Sequence, residues 1–271
     1  MAMDSEELYK LAQTVRYTAL VLANKANESH SGGGLSMADV LVTLYSGVLN
    51  CSPETINNPE RDRFILSKGH CCALYYALLS EKGYFSKFEL MDKFAKNGTQ
   101  FFAHVSHKIP GVELSTGSLG HGLPVACGMA LGLKKQGYHS NVFCLIGDGE
   151  INEGSNWEAI MFAAHNKLDN LCVILDKNRM QALGYTKDVL CLDPMYDKIK
   201  AFQWNAIEID GHNYDQIIDA FEGFKACKGK PTMIIANTIK GKGVSYMENN
   251  LRFHYSAPND EELAIALEEL K

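Results

Sequence analysis

An apolar strand that runs directly into a glycine–aspartate–glycine turn is the feature that most constrains how this chain folds. Residues 142–147 read VFCLIG, the turn is Gly147-Asp148-Gly149, and residues 152–167 follow with helical spacing. Ligands of doubly wound sheets bind at the carboxyl ends of the strands. Glycines there let the backbone approach a ligand closely, and N–H groups near a helix N-terminus suit a phosphate. The pattern therefore predicts a phosphate site where this strand ends.

Asp148 lies between the two glycines, and its carboxylate would repel a bare phosphate. A divalent cation between the two removes that conflict, and Mg²⁺ typically binds one or two protein oxygens together with phosphate oxygens. A second strand at 171–176 leads to Asn178, which is 178 − 148 = 30 residues after Asp148, the length of one β-α-β crossover. Neighbouring parallel strands end side by side, so the amide oxygen of Asn178 and the backbone carbonyl of Met180 are predicted to reach the same metal. The turn alone also occurs as an ordinary tight turn, and its spacing to Asn178 is what favours a site for Mg²⁺, or for Ca²⁺ or Mn²⁺.

Strands and helices alternate along most of the chain. The predicted strands cover residues 63–66, 142–147, 171–176, 206–210 and 232–237, and the predicted helices cover 5–26, 123–135 and 152–167, with another from about Asn213. This order predicts an α/β fold, a mostly parallel central sheet with helices on both faces, within a single domain over residues 1–271. Three consecutive glycines at 32–34 are expected to interrupt the helical structure, with a new helix starting at Ser36.

The overall charge and the apolar runs exclude several functional classes. With 26 basic and 32 acidic residues the formal net charge is −6, which does not favour binding to nucleic acid or to an anionic membrane. No apolar run approaches the roughly 20 residues of a membrane span, and the polar N-terminus does not resemble a signal peptide. The eight cysteines show no metal-binding spacing. We therefore expect a soluble, cytoplasmic protein with reduced thiols.

The turn and its surroundings resemble a known family. A GDG turn followed about thirty residues later by asparagine is the fingerprint of thiamine diphosphate enzymes, and GDGEINEGSNWEAIMFAAHNKLDNL is similar to transketolase, most of all to the separate N-terminal subunits of split transketolases. The resemblance implies the thiamine-diphosphate-binding fold. It also implies that Asp148, Asn178 and the carbonyl of Met180 hold the metal, while the N–H of Gly149 meets the diphosphate.

The same resemblance assigns roles to four histidines. His30 in NESHSGGG and His104 in FFAHVSHKIPGVE would face the reacting end of the substrate, and His70 in SKGH and His212 in DGHN would contact the diphosphate. His107 is an alternative to His104, because this chain is about one residue shorter before PGVE. Imidazoles suit these places because they hydrogen-bond sugar hydroxyls and move protons near neutral pH.

Two further segments resemble the family. TGSLGHG at 116–122 is similar to TGPLGQG, which implies that Gly117 and Leu119 lie against the cofactor rings, whereas His121 replaces a glutamine and receives no role. Glu153 matches an acidic residue that links the two cofactor sites across a dimer. Its alternative is an ordinary glutamate in the first turn of a helix, favoured there by the helix dipole.

The resemblance covers only the first domain of the family. It implies a transketolase that transfers a two-carbon ketol unit from a ketose phosphate to an aldose phosphate, in carbohydrate metabolism of the pentose phosphate type. The glutamate that activates the aminopyrimidine would lie on a separate C-terminal subunit, in an α2β2 heterotetramer, so this chain alone is expected to be inactive. The alternatives are a component of a deoxyxylulose-phosphate synthase-like or 2-oxoacid dehydrogenase-like enzyme, or a non-catalytic paralogue that binds a partner.

Overall fold

Five parallel strands form the central sheet of the computed structural model, which describes residues 3–271. The strands of the chain are β1 (Arg63–Leu66), β2 (Val142–Gly147), β3 (Leu171–Lys177), β4 (Met180–Gln181), β5 (Gly184–Tyr185), β6 (Asn205–Asp210) and β7 (Thr232–Asn237). The sheet order is β1-β2-β3-β7-β6, and the two short strands β4 and β5 form a separate antiparallel ribbon. The five longer strands are those predicted from the sequence, with ends within one residue of the prediction.

Helices cover both faces of this sheet. They are α1 (Ser5–Ala26), α2 (Ser31–Ser36), α3 (Ala38–Thr43), α4 (Cys72–Glu81), α5 (Lys87–Lys93), α6 (Gly122–Lys135), α7 (Gly154–His165), α8 (Thr186–Val189), α9 (Met195–Ala201), α10 (Tyr214–Ala226) and α11 (Asp260–Glu269). Short helical turns lie at Leu44–Val48, Pro53–Thr55, Gly69–Cys71, Glu150–Asn152 and Leu251–His254. No helix within residues 3–271 has both the length and the apolar character that crossing a membrane requires.

The central strands are apolar on both sides because each side carries its own core. In β2, Phe143 and Leu145 pack with α1, α3, α4 and α10, whereas Cys144 and Ile146 pack on the opposite face with α6, α7 and α9. Alternate side chains of a strand point to opposite faces, so a strand covered on both sides reads as a continuous apolar run. This confirms the predicted parallel sheet with helices on both faces.

The prediction for the glycine run was wrong. Residues 32–34 lie inside α2, which ends at Ser36, and the next helix, α3, starts at Ala38, two residues after the predicted start. The helix is buried against neighbouring chain, and a Cβ on Gly32 would lie only 3.2 Å from Cγ of Lys240. Tertiary packing therefore outweighs the low helix propensity of glycine at this place.

Candidate functional site

The carboxyl ends of β2 and β3 meet at one edge of the sheet. Gly147 pairs with Asp176 in the parallel register, so Asp148 follows at the strand end beside the turn that carries Asn178. The backbone N–H of Arg179 donates to Oδ2 of Asp148, which fixes the carboxylate next to Asn178. The two predicted metal ligands therefore lie together, as the sequence spacing requires.

A cavity of about 270 Å³ opens at this edge. It is lined by nine of the eleven residues predicted for the site, namely His30, His70, His104, Gly117, Leu119, Asp148, Gly149, Asn178 and Met180. It is also lined by residues to which sequence reasoning assigned no role, among them Lys68, Gln181, Lys240 and His254. One cavity therefore joins the diphosphate, metal and substrate residues of the sequence prediction.

The oxygen donors at the strand ends fit a hard divalent cation. Asp148 is 2% exposed, and burial together with the charge of Asp176 raises the pKa of Asp148 to about 7. A cation beside this carboxylate would counter both effects. No cluster of three or more His, Cys, Asp or Glu side chains suited to a metal occurs within residues 3–271. Asp148, Asn178 and Met180 offer one carboxylate, one amide and one carbonyl oxygen, a set that Mg²⁺ would complete with phosphate oxygens and water.

The wall beside Gly149 fits a phosphate. A Cβ on Gly149 would lie 2.8 Å from Cβ of Gln181, so only glycine allows this close approach. Nε2 of Gln181 is buried and has no hydrogen-bond partner within the described chain. An unsatisfied buried donor costs about 1–3 kcal/mol, which an acceptor oxygen in the cavity would recover. Sequence reasoning missed Gln181, and its NRMQ context carries no signal for it.

Four histidines surround the cavity. The distance between ring centroids is 4.8 Å from His30 to His70, 6.5 Å from His30 to His104 and 5.1 Å from His30 to His254. Burial lowers the pKa of His30 and of His70 to about 4, and that of His254 to about 3, and the positive charge of Lys240 acts in the same direction. The pKa of His104 is lowered as well, mainly by burial. These imidazoles are therefore neutral at pH 7 and able both to donate and to accept a hydrogen bond.

Between the two alternatives near PGVE, the structure places His104 at the cavity. His107 does not line this cavity, and its Nδ1 lies 2.7 Å from Oγ of Ser115. A Cβ on Gly117 would lie 3.2 Å from Cδ2 of His104, so the segment with Gly117 packs directly on this histidine.

Two of the predicted residues lie outside the cavity. His212 was expected to contact the diphosphate, but Nδ1 lies 2.7 Å from Oδ2 of Asp39 and Nε2 accepts from the N–H of Ile239 at 2.9 Å. Both ring nitrogens therefore have partners within the chain, and His212 supports the segment around Ile239. Glu153 is exposed at the N-terminus of α7 and makes no capping bond.

Two buried lysines complete the cavity wall. Nζ of Lys68 donates to the carbonyl oxygen of Gly33 at 2.6 Å and to the carboxylate of Asp176. Nζ of Lys240 lies 2.9 Å from Nδ1 of His254. Sequence reasoning missed both lysines, because KGH and KGKG are typical of solvated basic segments as well.

The strand ends of this parallel α/β sheet present an acidic glycine turn and an amide to one cavity. This arrangement defines a protein that binds a diphosphate-bearing cofactor. The chain matches the family described as "Transketolase, thiamine diphosphate binding domain" over residues 8–270. It is 45% identical to an apulose-4-phosphate transketolase subunit of Actinobacillus succinogenes, over 99% of this chain and 98% of that protein. It is 41% identical to 6-deoxy-6-sulfo-D-fructose transketolase subunit SqwG of Clostridium sp. (strain MSTE9), over 100% of this chain and 98% of that protein. Its fold is similar to that of transketolase from Campylobacter jejuni, with a TM-score of 0.94 and 31% identity over 99% of this chain and 43% of that one.

The chain therefore belongs to the transketolase family. It is a thiamine-diphosphate-binding domain of the kind that forms the N-terminal subunit of a split transketolase, as the sequence predicted.

Proposed function

We propose that this chain binds thiamine diphosphate through Mg²⁺ and, together with a separate C-terminal subunit, transfers a two-carbon ketol unit from a ketose phosphate to an aldose phosphate. The observation that carries the proposal is the meeting of Asp148 and Asn178 at adjoining strand ends, on the same cavity as four histidines. A non-catalytic paralogue would have no need for both groups at one cavity.

The chain's own residues divide the work of holding the cofactor. The carboxylate of Asp148, the amide oxygen of Asn178 and the carbonyl of Met180 would hold the metal, and the N–H of Gly149 would donate to the diphosphate. His70 lines the same cavity and would donate a further hydrogen bond to the diphosphate. When bound, the cofactor supplies an electron sink for cleavage of the bond next to the ketose carbonyl.

The remaining histidines are suited to the substrate. His30 and His104 would hydrogen-bond the hydroxyls near the reacting carbonyl and take up or return protons there. Because burial keeps the pKa of His30 at about 4, its imidazole is neutral at pH 7 and can accept a hydrogen bond from a sugar hydroxyl. His254 stands 5.1 Å from His30 between ring centroids, and we add it to this group.

A separate partner chain is supported by the lengths of the relatives. This chain spans 98% of the apulose-4-phosphate transketolase and SqwG relatives but 43% of the Campylobacter transketolase chain. We propose that the partner supplies the rest of the active site, in an α2β2 heterotetramer. These two relatives are named for different ketoses that both carry an anionic group, so we propose an anionic ketose as donor.

Reconstitution tests the activity. We expect the chain alone to be inactive and the chain with its co-purified partner to transfer a ketol unit between sugar phosphates in the presence of thiamine diphosphate and Mg²⁺. Pyruvate decarboxylation without ketol transfer would favour the dehydrogenase-like alternative. Ketol transfer by the isolated chain would contradict the need for a partner.

The metal site is tested by replacing its carboxylate. Asp148→Ala is expected to abolish Mg²⁺-dependent retention of thiamine diphosphate, because it removes the only anionic ligand proposed for the metal. Calorimetric titration with the cofactor, with Mg²⁺ and with EDTA, measures this loss. Exposed Asp197→Ala on α9 is the control. Retention by Asp148→Ala equal to that of the native chain would refute the assignment.

A further inference from the structure

The backbone of His30 is held in an unusual conformation. Its φ of 69° and ψ of 12° lie in the left-handed region, which a residue with a Cβ adopts only at a cost in energy. The N–H of His30 donates to the carbonyl of His254 at 3.2 Å, and the carbonyl of His30 accepts from the N–H of Gly34 at 3.2 Å. The main chain is therefore fixed from both sides at the point where His30 lines the cofactor cavity.

A fixed main chain still leaves the imidazole of His30 free to turn. Rotation about the bond between Cβ and the ring has two broad preferred orientations, and a half-turn exchanges each ring nitrogen with a ring carbon. The rings of His70 and His254 pack against this imidazole at tilted angles, with centroids 4.8 and 5.1 Å away. Packing between rings of similar shape does not distinguish a nitrogen from a carbon, so a hydrogen bond is needed to select one orientation.

The hydroxyl of Ser29 forms that hydrogen bond. Oγ of Ser29 lies 2.7 Å from Nδ1 of His30, and within residues 3–271 this is the side-chain hydrogen bond of the ring. A hydroxyl can donate or accept, so the bond forms with either neutral tautomer of the imidazole. With Nδ1 occupied by Ser29, Nε2 is the ring nitrogen left for a ligand in the cavity.

The serine on the other side of His30 has no such contact. Oγ of Ser31 is buried and has no hydrogen-bond partner in the part of the chain that the structure describes. Ser31 lines a smaller cavity beside α1 and α4 and does not line the cofactor cavity. Two serines therefore flank the same histidine, and the hydroxyl of Ser29 alone bonds to its ring.

We propose that Ser29 is a positioning residue for His30, whose imidazole it holds so that Nε2 meets the sugar hydroxyls next to the reacting carbonyl. This inference rests on the proposed function and adds to it a residue that touches neither cofactor nor substrate. The strained main chain fixes where the ring stands, and the hydroxyl of Ser29 fixes which of its atoms faces the sugar.

Nitrogen spectra of the full-length chain test the hydrogen bond without any ligand. In a chain with ¹⁵N-labelled histidine, the signals that disappear in His30→Asn are those of His30. We expect both nitrogen shifts of His30 to move or broaden in Ser29→Ala, because Nδ1 loses its partner and the ring can turn. Ser29→Thr keeps the hydroxyl and should restore the native shifts, and Ser31→Ala is the matched control that should leave them native.

Kinetics of the chain reconstituted with its partner test the role in ketol transfer. Ser29→Ala should lower kcat/KM about fivefold or more, the factor for loss of one neutral hydrogen bond, with an unchanged Kd for thiamine diphosphate with Mg²⁺. Ser29→Thr should recover most of the native kcat/KM, and Ser31→Ala should retain all of it. The unchanged Kd separates an effect on His30 from a general disturbance of the cavity.

Native His30 signals in Ser29→Ala, or a native kcat/KM, would overturn the proposal. A raised Kd for the cofactor in Ser29→Ala would also overturn it, because the serine would then act on cofactor binding. Equal losses in Ser29→Ala and Ser29→Thr would show that the hydroxyl is not what matters. Absence of ketol transfer by the native reconstituted enzyme would refute the proposed function itself, and the spectra would still decide whether Ser29 holds His30.

Discussion

The carboxylate of Asp39 explains where the structure places the histidine of the DGHN motif. It is 3% exposed and accepts from Arg16, from the hydroxyl of Tyr214 at 2.7 Å and from His212. Burial would raise the pKa of Asp39, but Arg16 and His212 hold it well below its usual range. The DGHN motif predicts a histidine at the end of a strand, but it cannot show that the partner of His212 is a carboxylate 173 residues away.

The buried histidine His70 makes stability depend on pH. Burial, helped by the charge of Lys68, lowers the pKa of His70 from 6.5 to about 4. Between pH 4 and pH 6.5 the unfolded chain binds a proton at this imidazole that the folded chain does not bind. The contribution of neutral His70 to the stability of the folded chain is therefore complete above pH 6.5 and is lost as the pH falls toward 4. We expect His70→Asn to reduce the slope of unfolding free energy against pH in this window by up to one proton, about 1.4 kcal/mol per pH unit.

Denaturant unfolding of the ligand-free chain at pH values from 4 to 7 measures this slope. His165→Asn changes an exposed histidine on α7 and should leave the slope as in the native chain. If His70→Asn and the native chain show the same slope, the imidazole of His70 is protonated in the folded state and burial does not exclude its charge.

Residue types at strand ends were predictable, whereas contacts between distant segments were not. Asp148 and Asn178 follow apolar strands whose parallel pairing is set by the crossover length, so their meeting could be inferred from spacing alone. Lys240, His254 and Gln181 reach the cavity from segments whose path depends on tertiary packing. Nothing in the local sequence of Lys240 or Gln181 distinguishes these two residues from solvated polar residues.

Among the elements, the segment at 116–122 is held to the end of β1 by glycines that leave no room for a side chain. A Cβ on Gly69 would lie 2.3 Å from the carbonyl oxygen of Thr116, and one on Gly122 would lie 2.3 Å from Oγ of Ser67. Oγ1 of Thr116 also donates to the carbonyl of Leu66 at 2.6 Å. This contact sets the position of Gly117 and Leu119 on the cavity wall.

Gly69→Ala is expected to destabilise the chain by about 2 kcal/mol or more. The added methyl group would overlap the carbonyl oxygen of Thr116, and neither backbone segment can move freely to relieve the overlap. Gly132→Ala is the matched change inside α6, where no atom lies within 4 Å of the added methyl group. It should stabilise the chain by about 0.5–1 kcal/mol, because alanine loses less backbone entropy in a helix. Urea unfolding of the two variants should show opposite signs, and a loss of stability at both positions would contradict the steric argument.

The longer helices and strands could be predicted from the spacing of apolar residues, whereas the shorter ones could not. Strands β2, β3 and β7 are continuous apolar runs bounded by polar turns, and α10 begins after Asn213, whose side chain accepts from the N–H of Gln216 as an N-cap. The two-residue strands β4 and β5 are too short to show any period. The helix α2 forms despite the low helix propensity of its glycines, because Lys240 and α4 pack against these glycines.

As a whole molecule, the chain is one sheet covered by helices on both faces, with its cavity at one edge of the sheet. A partner that completes the proposed active site would have to approach that edge. The chain covers nearly the full length of an apulose-4-phosphate transketolase subunit but less than half of a one-chain transketolase. The side chain of a residue that acts only in the assembly should therefore be exposed and free of hydrogen bonds in the isolated chain. Glu153 meets this condition, since it is exposed and its carboxylate makes no capping bond to α7.

The family resemblance assigns Glu153 to a link between two cofactor sites, and this assignment predicts a defect that appears only on assembly. Glu153→Gln should leave the stability of the isolated chain within about 0.5 kcal/mol of native, as for most exposed substitutions. In the reconstituted heterotetramer it should lower ketol transfer at least about tenfold, because the carboxylate would no longer accept or share a proton across the interface. Glu158→Gln, also exposed on α7, is the control and should retain native activity. Equal activity of both variants would show that Glu153 is an ordinary first-turn glutamate, favoured there by the helix dipole alone.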